Sequence, residues 1–226
     1  MIRHLLQLIW NQRKQNAWLW AELLLVSVFL WFLVDYLYVM GRTYTAPLGF
    51  DIRHTYSIVI SSLSERSPDY IPKEKRERPD GVHLLTALDR IRTYPGVESA
   101  CLTDGGMPYY MGSRNLVWRI DTLQVPCRYA FVTPEFFDVF RIYDKDGKTA
   151  SLKRAIEDNN SIVISADVET MNPGLSLLGQ KAYRGNVTDE IEETIRGISV
   201  PIRRHEYTKA EPNVYRALRL SRMEEG

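Results

Sequence analysis

Few residues of this chain are typed and spaced for chemistry. The run Asp144-Lys145-Asp146-Gly147-Lys148-Thr149 comes nearest. As a phosphate-binding loop it needs glycine at 142, and as a calcium loop it needs aspartate at 142 and glutamate at 153. Those positions hold Ile142 and Lys153, so the run reads as a hydrophilic turn. The four histidines, His4, His54, His83 and His205, are scattered without metal-ligand spacing. No nucleophile elbow of the G-x-S-x-G type occurs. Cys101 and Cys127 lack the C-x-x-C spacing of a zinc or redox pair, leaving either a disulfide or two buried thiols. The residues therefore imply no catalytic set, cofactor or metal.

Two other groups stand out. Gly105-Gly106-Met107-Pro108-Tyr109-Tyr110-Met111 is a loop rich in adaptable, interface-prone side chains. Met107, Tyr109, Tyr110 and Met111 are candidates for partner contact, against the plainer reading that the loop packs on its own domain. Glu22 and Asp35 are acids bracketing the uncharged core Leu23–Val34 of an apolar stretch, Ala17–Met40. That stretch has about 24 residues, a helix of roughly 36 Å, enough to cross about 30 Å of hydrocarbon. The two acids lie ~20 Å apart along its axis. Either each snorkels to an interface or they face partner helices, making them candidate intramembrane contacts.

The elements that position these groups follow from pattern. Residues 1–16 carry Arg3, Arg13 and Lys14 and no acid. They read as a cytoplasmic amphipathic tail, with the domain at 41–226 outside. A cleaved signal peptide is the rival, opposed by the bulky residues Asp35-Tyr36-Leu37-Tyr38 after the apolar core. The chain carries 29 basic and 28 acidic residues, with no basic field for nucleic acid. Gly41–Gly49 reads as a turn-rich exit. His54–Ser61, Val97–Thr103, Leu116–Ile120, Cys127–Val132 and Ser161–Ser165 read as strands, and Ile191–Pro201 as one or two more. Val82–Thr93, Pro134–Phe140 and Ala166–Met171 read as helices, with Thr133 as a cap and Phe136, Phe137 and Phe140 facing a core. Strands and helices mix without a βαβ rhythm. The fold class is α+β: one transmembrane helix, then a mixed α/β domain with one core or two small lobes.

Several phrases in order carry a family resemblance. They are Pro47-Leu48-Gly49-Phe50-Asp51, Tyr94-Pro95-Gly96-Val97-Glu98, and Val132-Thr133-Pro134-Glu135-Phe136-Phe137-Asp138-Val139-Phe140. Ser161-Ile162-Val163-Ile164-Ser165 and Leu178-Gly179-Gln180-Lys181 follow. This order resembles the first membrane helix and periplasmic core domain of FtsX-like, MacB-type ABC transporter permeases, the Bacteroides-type versions most of all. The resemblance runs from about Ile2 to Leu218. It implies a non-enzymatic transport or mechanotransmission component in the bacterial inner membrane. It also implies a cytoplasmic ATP-binding subunit and a homo- or heterodimer with another permease. Such permeases carry three further helices after the periplasmic domain, and this sequence has none, so it reads as a fragment not competent alone. A single-pass sensor or adaptor with a ligand-binding outer domain is the alternative.

Overall fold

The structure is a computed structural model describing residues 17–61, 63–72, 75, 79–110, 112, 114–185 and 190–219, with Arg3, His4, Gln7 and Trp10 of the N-terminal tail. The chain divides into two compact units, Met1–Ala46 and Pro47–Gly226. In the first, helix α1 (Ala17–Thr45) has a mean hydropathy of 2.2 over its most apolar window and no buried residue. It is long and apolar enough to cross a membrane. It runs five residues past Met40, so most of the predicted turn-rich exit is helical, and the chain breaks at Ala46-Pro47. Proline fits this stop, since the residue before it is pushed out of the α region.

The second unit holds α2 (Asp80–Arg92), β1 (Thr103–Asp104), β2 (Asn115–Ile120), β3 (Leu123–Val132), α3 (Phe136–Val139) and α4 (Ala150–Ala155). These are followed by β4 (Ser161–Ser165), α5 (Asp167–Met171), β5 (Lys181–Arg184), β6 (Ile191–Ser199) and β7 (Asn213–Ala217). The sheet closes on itself. The pairings run β3–β2, β2–β5, β5–β6, β6–β4, β4–β7 and back through β7–β3, with β1 added on β3. Closure depends on β3, whose first half pairs antiparallel with β2 and whose second half pairs parallel with β7. A closed sheet leaves no long exposed edge.

Alternation along each strand makes two cores. Trp118, Ile120, Val125, Cys127, Ile162, Ile164, Ala182, Ile195 and Val214 meet inside the barrel with Val168 and Leu177. Residues one step out of phase, Ala130, Val132, Val163 and Tyr215, face a second cluster outside it. There α3 and α4 add Phe136, Phe137, Leu152 and Ala155, and the loops add Phe140, Ile142, Ile156 and Ile202. Gly197 lets α4 lie on β6: a Cβ there would stand 2.9 Å from Val163 and 3.0 Å from Ala155. Pro47–Gly226 is thus one unit with two cores separated by a barrel wall, rather than two lobes.

Several expected elements hold, and some do not. Leu116–Ile120, Cys127–Val132, Ser161–Ser165 and Ile191–Ser199 are ladder strands, the last a single one. His54–Ser61 forms no ladder among the described residues, and of Val97–Thr103 only Thr103 pairs. β propensity makes a strand only where a neighbouring strand is available. Thr133 does not cap α3 with its side chain; its buried hydroxyl accepts the Leu102 amide at 3.2 Å. The Asp144–Thr149 run is the turn expected: the Asp144 carboxylate accepts the amides of Asp146 (2.9 Å) and Lys148 (2.8 Å).

Candidate coupling site

The residues that follow α1 in sequence are tied into the outer unit within a few positions. The Leu48 carbonyl accepts the Arg203 amide at 3.0 Å, and the Asp51 amide donates to the Phe140 carbonyl at 2.9 Å. Between these bonds Gly49 sits at φ +83°, where a Cβ would stand 2.1 Å from the Pro201 carbonyl oxygen. Only glycine permits both the backbone conformation and this approach. Phe50 packs against the outer core and meets Tyr109 edge-to-face, ring centroids 5.9 Å apart. Pro47–Arg53 is therefore a strap fastened to the β6–β7 connection, the end of α3 and the loop before β2.

Charge reinforces the strap. Arg53 holds the Asp51 carboxylate through Nε (2.9 Å) and Nη2 (2.6 Å), and Arg141 reaches it at 3.1 Å. Arg141 stands at φ 50° and also donates to the Arg53 carbonyl at 3.3 Å. The side-chain and backbone bonds from Arg53 hold the Asp51 carboxyl well below the usual carboxylate range. This lowered value makes the clamp's contribution fully present above about pH 4, and it is lost only as the pH falls below that.

The Gly105–Tyr110 loop closes over the same region. Gly106, at φ +73°, passes close to Ala130, where a Cβ would stand 2.6 Å from that methyl group. Met107 is half-buried against the outer core. Tyr109 stands at φ 60°; its amide donates to the Arg204 carbonyl at 3.2 Å and its hydroxyl to Glu206. Tyr110 is 48% exposed. Met111 lies outside the described residues. Met107 thus faces its own domain, while Tyr109 and Tyr110 are both exposed, Tyr109 being tied down by its bonds to Arg204 and Glu206. Two clefts of about 10 Å³ lie under the loop, sharing Gly106, Arg128, Asn213 and Tyr215. Each is water-sized and too small for an organic ligand.

The other candidates lie apart. Glu22 and Asp35 are both exposed along α1 and make no ion pair among the described residues. Cys101 and Cys127 are free thiols, one packed on the outer core and the other inside the barrel, so the wall separates them. Burial pushes both thiols up to about 12. Native protein at pH 8 should therefore consume less than ~10% of the two thiol equivalents in an hour with a thiol-specific disulfide reagent, and both in denaturant. Rapid native labelling of either would contradict their placement.

Sequence reasoning missed a buried ionic cluster. Glu193 on β6 is 2% exposed and bonds Arg216 on β7 through Nε at 2.7 Å, with Arg184 of β5 at 3.5 Å. The Arg216 guanidinium stacks over Phe131, 4.9 Å from its ring centre. The alternation places all three charged groups inward at one end of the barrel. A warning was present in Glu193 and Arg216, charged residues in phase with the inward positions Ile195 and Val214. Among the described residues no His, Cys, Asp and Glu group is spaced to hold a metal ion.

No protein-family model matches the chain, and no curated protein matches it. Solved structures match in part. The periplasmic region of MacB from Actinobacillus actinomycetemcomitans aligns with a TM-score of 0.41 and 10% identity, over 59% of this chain and 54% of that one. A domain of a protein described as a permease from Porphyromonas gingivalis aligns at 0.41 and 20% identity, over 57% and 49%. The extracellular domain of the ABC-type transporter YknZ from Gram-positive bacteria aligns at 0.41 and 13%, over 58% and 60%. The chain thus spans about half to three-fifths of the solved chains it is similar to.

Proposed function

We propose that this chain is the first membrane helix and outer domain of an FtsX-like, MacB-type permease component. In this reading α1 crosses the inner membrane with its basic tail in the cytoplasm. The outer domain stands in the periplasm, and the component works with an ATP-binding subunit and a second permease. The observation that carries the reading is the strap. The chain leaving α1 is bonded to three separate segments of the outer unit between Leu48 and Asp51. A flexible tether would suffice for an anchor that only retains a domain at a surface. A strap with a glycine fitted against Pro201 suits a joint that passes displacement on. The order of motifs from Pro47 to Lys181 supports the same reading from sequence.

Glu22 and Asp35 then face other membrane helices. A photo-reactive residue placed at position 22 or 35 should form adducts with a membrane protein in intact cells. Replacing the other acid with leucine should lower adduct yield at least about fivefold, the effect of losing roughly 1 kcal/mol of interhelical polar contact. Adducts with lipid alone at both positions would overturn the multi-helix reading.

A further inference from the structure

Four arginines line the clefts under the Gly105–Tyr110 loop, and two of them are left without a partner. Arg114 is paired with Asp104 at 2.5 Å, and Arg203 donates to the carbonyls of Thr208 (2.7 Å) and Glu206. Arg128 on β3 and Arg204 in the β6–β7 connection are half-buried. Their side chains make no hydrogen bond or ion pair among the described residues, and the Nε of each is buried without an acceptor. They also repel each other. Burial, and then the charge of Arg204, holds the Arg128 guanidinium below its ordinary range. Two acids act nearby, the exposed Glu211 on Arg128 and Asp167 on Tyr215, but neither lines a cleft. Burial also pushes the Asp167 carboxyl up, towards its neutral form. Half-buried like charges that act on each other are costly, and a buried N–H without an acceptor marks the place of a missing one.

We propose that the two clefts are one binding site for a phosphate group, held between Arg128 and Arg204. Each cleft has room for about one water-sized atom, and the two share four lining residues, so a single tetrahedral group can present an oxygen to each. Neither cleft is sealed, so the rest of the ligand stays outside. A guanidinium can give such a group two parallel hydrogen bonds. Burial pushes the Tyr215 hydroxyl well above its ordinary range, so it stays protonated as a further donor. Charge selects phosphate over carboxylate. Two uncompensated cations match the nearly two negative charges of a phosphate group at neutral pH, whereas a carboxylate carries one. The group is either free or the terminal phosphate of a larger molecule. The Arg204 carbonyl accepts the Tyr109 amide, and the Arg203 amide donates to the Leu48 carbonyl. An occupied site therefore ties the loop to the connection on which the strap is fastened. The site lies within the outer unit and does not rest on the membrane reading.

Thermal unfolding of the full chain in detergent micelles at constant ionic strength tests this. Inorganic phosphate at about 10 mM should raise the midpoint of the outer unit by at least about 4 °C, and chloride in its place should not. Acetate should bind at least about tenfold more weakly than phosphate. Arg128→Gln and Arg204→Gln should each remove most of the shift, while Arg119→Gln, which loses the ion pair with Glu190, keeps it. In phosphate-free buffer Arg204→Gln should be at least as stable as the parent, because it relieves the repulsion of Arg128. If Arg128→Gln does not fold, Arg204→Gln carries the test alone. Phosphate should also slow exchange of the Tyr109 amide in the parent and not in Arg204→Gln. Glycerol 3-phosphate separates the two sources: a shift equal to that of phosphate means that a phosphate monoester enters, and a lost shift restricts the site to the free ion. The proposal is overturned by no shift with phosphate, by a shift that survives both substitutions, or by an equal response to acetate. It is also overturned if Arg204→Gln is less stable than the parent without phosphate, since Arg204 would then already have its partner in the protein.

Discussion

Gly49→Val will lower the midpoint of thermal unfolding of the outer unit by roughly 10 °C, corresponding to about 3–4 kcal/mol at 2–4 °C per kcal/mol. Two penalties add. A β-branched residue held at φ +83° costs about 1–2 kcal/mol. The new Cβ would stand 2.1 Å from the Pro201 carbonyl oxygen, so the strap must move away. Moving it breaks the Leu48–Arg203 and Asp51–Phe140 bonds, each worth about 1 kcal/mol. Gly96→Ala separates the two effects. Gly96 stands at φ +90° with nothing within 4 Å of its would-be Cβ, so it carries the backbone penalty alone. Amide exchange gives the local reading. Arg203 and Asp51 should lose protection in Gly49→Val and keep it in Gly96→Ala. Equal losses of stability in the two variants would mean that the strap is not a fitted joint.

How far the sequence carries depends on whether an element is set locally or at long range. Ala17–Met40 is legible because apolar composition over about 24 residues needs no partner to be recognised. Ser161–Ser165 and the Phe136–Phe140 face are legible because burial leaves a dense apolar signature. The barrel is not. β5 (Lys-Ala-Tyr-Arg) and β7 (Asn-Val-Tyr-Arg-Ala) are short and mix apolar with polar residues without alternation, and they become strands by completing the ring between β2 and β6 and between β3 and β4. Thr55–Ser61 shows the converse, strong local propensity without a partner strand. Gly49 is readable as a turn glycine, but its contact with Pro201 spans most of the outer domain. Met107 and Tyr109 were visible as interface-prone types. The inward packing of Met107 follows from Gly106 passing close to Ala130, and the exposed Tyr109 is tied down by Glu206, a residue almost a hundred positions away.

Arg216→Met will destabilise the barrel by about 3–5 kcal/mol, because it leaves Glu193 buried beside Arg184 alone. The size follows from what remains rather than from what is removed. Glu193 is 2% exposed, and its Oε2 already has no hydrogen-bond partner. Without Arg216 its Oε1 loses the 2.7 Å bond from Nε, and the carboxylate is left to draw water into the barrel end. The double variant Glu193→Leu/Arg216→Met removes the buried carboxylate and its main partner with little change of volume, and leaves Arg184, whose side chain is 22% exposed, to turn toward water. It should regain most of the loss, since a well-packed apolar pair replaces a buried ion pair at little net cost. A single variant within about 1 kcal/mol of the parent would mean that water reaches this end of the barrel. A double variant as unstable as the single would place the stabilisation in the stacking of Arg216 on Phe131 rather than in its charge.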